Sequence, residues 1–71
     1  MAFDFSKLRG RIVEKYGSCV RFAAAMGRSK VWLSSRLNNT VPWRAEEIRE
    51  AAKLLDITSE EIPLYFLSPK F

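Results

Sequence analysis

Between Ser18 and Asn38 the chain reads as two short amphipathic helices joined through Gly27, and this pair constrains the fold more than any other feature. Ser18 stands as an N-cap whose hydroxyl can accept a first-turn amide, and Phe22, Ala23 and Met26 form the inner face behind it. Gly27 supplies the left-handed residue that ends such a helix. Ser29 caps the next one, in which Leu33 and Leu37 lie one turn apart and define the buried side. The opposite side presents Val31, Ser34, Ser35 and Asn38. Asn38, Asn39 and Thr40 stop it, because short polar side chains bond their own backbone and asparagine tolerates the left-handed region.

The same periodicity accounts for the rest of the 71 residues as one helical domain without linker or repeat. A first helix is expected from Ser6 to Tyr16, with Leu8, Ile12, Val13 and Tyr16 inward and Gly17 ending it. Phe3 and Phe5 are expected to cover the core from the N-terminal side. Val41, Pro42 and Trp43 lead to a fourth helix from Ala45 to Leu55, whose inner stripe is Ile48, Ala51, Ala52 and Leu55. Glu46, Glu47 and Glu50 suit the positive end of its dipole. Ser59, Glu60 and Glu61 begin a short fifth helix or turn, with Pro63 tolerable only near its start. The tail over 62–71 is apolar, and Leu64, Tyr65, Phe66, Leu67 and Phe71 either fold back on the first helix or form a candidate dimer or partner surface.

Charge divides the chain. Residues 1–44 carry nine basic side chains against two acidic, whereas residues 45–71 carry three against six. A basic half that coincides with the paired helices is the pattern expected of a phosphate-facing surface, with the acidic part toward solvent or a partner. Histidine is absent and Cys19 is the sole cysteine, which removes disulfide frameworks, Cys/His zinc sites and histidine-based nucleophile pairs. An enzyme is not expected, and no cofactor is implied. Neither a long apolar run nor an export signal is present, so the cytoplasm is the expected address.

Ala23 and Gly27, with Phe22 before them and Leu33 and Leu37 after, resemble the helix-turn-helix of the Cro and phage-repressor family of small DNA-binding proteins. Leu37-Asn38-Asn39, Val41-Pro42-Trp43 and Glu46-Glu47-Ile48 are similar to the LNG, PF and EEI segments of phage members. The likeness spans roughly Asp4 to Pro63. The chain departs from the pattern at Cys19, where the family often has a phosphate-binding glutamine, at Arg28, usually apolar, and at Asn39, usually glycine.

The resemblance implies an all-α, compact five-helix, lambda-repressor-like DNA-binding domain with its helix-turn-helix at helices 2 and 3, the third helix lying in the major groove. Carried over by position, Lys30, Val31, Ser34 and Ser35 are the base readers: the lysine can reach guanine, the valine a thymine methyl, the serines most bases. Phosphate contacts fall to Ser18, Cys19, Arg28, Arg36, Asn38, Asn39, Thr40 and Arg44. The expected function is that of a Cro-like phage or prophage regulator on a double-stranded DNA operator, a homodimer setting two reading helices about 34 Å apart. No bidentate base reader is among the four. The alternative is therefore a modulator on the same scaffold that docks on a larger repressor protein through its acidic half and aromatic tail.

Overall fold

Each predicted cap forms, and the caps set the helix lengths. In a computed structural model, which describes residues 3–69, five helices follow one another: α1 (Ser6–Tyr16), α2 (Cys19–Ala25), α3 (Lys30–Leu37), α4 (Ala45–Leu54) and α5 (Ile62–Phe66). The Ser18 hydroxyl accepts the Arg21 N–H at 3.2 Å, and the Ser29 hydroxyl accepts that of Trp32 at 3.1 Å. Gly27 takes φ 70°, which lets the N–H groups of Gly27 and Arg28 turn back onto the carbonyls of Ala24 and Ala23. Asn39 (φ 61°) closes α3 in the same way, with Thr40 N–H bonded to the Ser35 carbonyl, and Asp56 (φ 54°) closes α4. Both are residue types whose short polar side chains make the left-handed region affordable.

The core is formed by Leu8 and Ile12 of α1, Phe22 and Ala23 of α2, Leu33 and Leu37 of α3, and Ala51 and Ala52 of α4. Phe5, Leu55, Ile57 and Phe66 complete it from the connecting segments and α5. α1 packs on α2 and α5, α2 on α3, and α4 on α5. Trp32, Trp43 and Phe66 form a chain of edge-to-face rings, with centroids 5.7 and 5.1 Å apart, that joins α3, the α3–α4 connection and α5.

Two expectations change, at Val13 and Glu47, and two open alternatives are decided, at residues 59–61 and at Phe66. Val13 is 53% exposed, because α1 buries only the narrow stripe of Leu8 and Ile12 and leaves the next position along the turn in solvent. Residues 59–61 form the turn rather than helix: the Glu61 carboxylate accepts the Thr58 N–H and hydroxyl, and α5 starts only at Ile62 with Pro63 in its first turn. Phe66 is no surface residue; at 1% exposure it is core, held by Trp43. Glu47, expected on the solvated end of α4, is buried.

The C-terminal carbonyls of α4 find partners on α1. Arg11 donates from Nε to the Leu55 carbonyl (2.9 Å) and from Nη2 to that of Asp56 (3.2 Å), while the Tyr16 hydroxyl donates to the Leu54 carbonyl at 3.1 Å. Replacing Tyr16 with phenylalanine leaves its ring on Phe22 but strands that carbonyl. The expected cost is about 1 kcal/mol, read as a lower midpoint in urea unfolding with an unchanged slope.

Candidate recognition surface

α3 presents a face with few free polar groups. Lys30 is exposed and Val31 is 78% exposed, so an apolar side chain stands out in solvent at the start of the helix. Ser34 is half-buried beside them. Ser35 is engaged: its hydroxyl donates to the Trp32 carbonyl at 2.7 Å and accepts Arg36 Nη1 at 3.1 Å.

The residues expected on phosphates divide by their internal bonds. Asn38 accepts Arg9 Nη2 on its side-chain oxygen at 2.9 Å. The Asn39 amide group brackets the backbone of Phe3, accepting its N–H and donating to its carbonyl, both at 2.9 Å. This pair of bonds, with the Asp4 N–H to Ser68 carbonyl bond, pins the N-terminal segment between α3 and the tail. Thr40 is exposed, and Ser18 and Cys19 are half-buried at the start of α2.

Arg28, Arg36 and Arg44 come together in one depression of about 340 Å³ between α3 and α4, whose wall also carries Trp32, Glu46, Glu47 and Glu50. The guanidinium carbons of Arg28 and Arg36 lie 4.9 and 4.5 Å from the Trp32 ring. Arg36 Nη2 pairs with Glu47 Oε2 at 3.3 Å, both side chains being largely out of solvent. The other Glu47 oxygen accepts the Arg44 N–H at 2.9 Å, capping α4 from its third residue. Burial pushes the Glu47 carboxyl up, but the Arg44 N–H and the Arg36 guanidinium outweigh it and hold it below its ordinary value. Sequence reasoning missed this carboxylate. Its one available signal was its place three residues after the N-cap Arg44, where a glutamate reaches back to the backbone.

The tail splits by residue. Leu64 and Leu67 are 52% and 50% exposed, Tyr65 is half-buried with Lys7 Nζ 5.6 Å from its ring, and Phe66 is core. Phe71 lies outside the described residues. Among the described residues no helix is long and apolar enough to cross a membrane.

Comparison with known proteins places this geometry. Residues 1–69 match the family described as "Protein of unknown function (DUF739)". The chain belongs to the DUF739 family. Its structure is similar to the solution structure of the modulator of repression (MOR) of the temperate bacteriophage TP901-1 from Lactococcus lactis, with a TM-score of 0.83 and 42% sequence identity. The match covers 93% of this chain and 89% of that one. No curated protein matches the chain. The five-helix, all-α architecture expected from the sequence is thus found in the chain, and its structure is shared closely with that of a phage protein.

Proposed function

We propose that this DUF739 chain is a phage regulatory protein that modulates repression by docking on a larger repressor. The observation that carries this reading is its 42% identity, over 93% of its length, to a phage modulator of repression. The geometry supports it. Arg36, Asn38 and Asn39, three of the side chains a DNA reader would turn to phosphates, are bonded within the molecule. The base-reading set shrinks to Lys30, Val31 and Ser34, of which Lys30 alone can span the two guanine acceptors.

The docking partner is a protein whose DNA-binding face is basic, as repressors' faces are. The acidic segment answers that charge with exposed Glu46, Glu50 and Glu60, and α5 adds exposed Leu64 and Leu67 as apolar anchors. Mixing the purified chain with the repressor of the phage or prophage that encodes it is expected to give a complex of summed mass in light scattering. Replacing Leu64 and Leu67 with serine is expected to weaken that complex while leaving the fold intact. No complex from the folded chain, together with enrichment of a defined site from randomised duplex DNA, would overturn this reading.

The second reading is direct operator binding as a Cro-like repressor. The two serine caps and the turn at Gly27 favour it, since they hold α2 and α3 in a helix-turn-helix with Lys30 and Val31 outward. The same duplex selection tests it.

A further inference from the structure

Three arginines on one depression beside a helix-turn-helix are a ready phosphate clamp, and the fold has set three glutamates of α4 against them. Arg28, Arg36 and Arg44 are the basic residues flanking α3 on this side, and Arg36 is the one whose charge is taken up: Glu47 holds it at 3.3 Å. The arrangement is not the one a guanidinium would choose for a permanent carboxylate partner. Only Nη2 meets Glu47, Nη1 goes to the Ser35 hydroxyl, and the buried Nε has no hydrogen-bond partner. Glu47 cannot offer a bidentate fork, because its second oxygen is committed to the Arg44 N–H. Arg36 is therefore neutralised by a single long bond. A phosphate oxygen pair would satisfy it better.

We propose that Glu47 sets the partner class of this scaffold, acting as an internal stand-in for a DNA phosphate that withholds Arg36 from the nucleic-acid backbone. Its contribution is specificity against DNA: an arginine already paired gains little from a phosphate and must first lose its carboxylate. Glu46 and Glu50, exposed on the same wall, add repulsion toward an approaching backbone. The inference rests on the reading of the chain as a modulator of a repressor, and it explains how a helix-turn-helix frame is kept for a protein partner.

The test is Glu47→Gln, measured by the salt dependence of binding to a random-sequence duplex. Glutamine keeps an oxygen for the Arg44 N–H, so the cap of α4 survives, while the charge on Arg36 is released. The slope of log association constant against log salt is expected to steepen by about 0.9, the counterion release of one added phosphate contact. Glu60→Gln makes the same change in net charge at an exposed turn position away from the depression, and is expected to leave the slope near that of the unaltered chain. Adding Arg36→Ala to Glu47→Gln is expected to abolish the gain. An unchanged slope in folded Glu47→Gln, or an equal gain in Glu60→Gln, overturns the proposal. Should Glu47→Gln not fold, the Arg36 Nε–H resonance of the unaltered chain decides: unmoved by added duplex it supports withholding, and a shift overturns it. The repressor-binding measurement uses the unaltered chain without DNA, so each idea can fail alone.

Discussion

Phe66→Ala is expected to leave the chain largely unfolded near physiological temperature. The ring is 1% exposed and stands edge-on to Trp43 at 5.1 Å, which in turn meets Trp32 at 5.7 Å. Truncating a buried phenylalanine costs about 3–5 kcal/mol, from lost transfer energy and the cavity left behind. A chain of this length holds only about 4–11 kcal/mol in total. In a domain this small each kcal/mol moves the thermal midpoint by roughly 4–8 °C, so a fall of about 15 °C or more is expected by circular dichroism. Leu64→Ala, on the same short helix but half in solvent, is expected to stay within about 0.5 kcal/mol of the parent. Comparable losses in the two variants would mean that the tail is not divided into a core residue and a surface.

That division shows where the sequence stops being legible. Periodicity places α1 from Ser6 to Tyr16 and the caps at Ser18 and Ser29, because these depend on neighbours three or four residues away. α4 is read one residue long, since Leu55 continues the apolar stripe but already serves as the C-cap. What local pattern does not carry is pairing across the chain. Asn39 looks like a helix stop and is one, yet its amide also holds Phe3, 36 positions earlier. Arg11 reads as one more solvated charge on α1, whereas it closes the end of α4. Phe66 and Leu67 are both apolar neighbours, and it is the packing of distant elements, Trp43 among them, that covers the first and leaves the second half exposed. The recognition surface suffers most, because Arg36 is a phosphate-contact candidate by position and a buried ion-pair partner by its environment.

Glu47→Ala is expected to be as damaging as a core truncation, although it removes a charged residue from a helix's first turn. The carboxylate is 5% exposed and holds two elements at once, α4 through the Arg44 N–H and α3 through Arg36. Alanine removes both bonds and leaves the guanidinium largely buried on Trp32 without a counter-charge, a loss of about 3 kcal/mol. The pH dependence follows from the same geometry. Because the folded chain holds the Glu47 carboxyl below its ordinary value, the unfolded chain takes up the proton first as the solution is acidified. The stabilisation from this group is therefore complete above its ordinary value of 4.5 and is lost as pH falls through the lower, folded value. Asp56, held down by Lys15, and Glu61, held down by the Thr58 N–H and hydroxyl, shift in the same direction and add to the acid loss. Urea unfolding at pH 7 and in the acid limb separates the contributions. Glu47→Ala is expected to lower the plateau at neutral pH and to flatten the decline, leaving only the part due to Asp56 and Glu61. A decline as steep as the parent's would show that the Arg36 pair does not link folding to this proton.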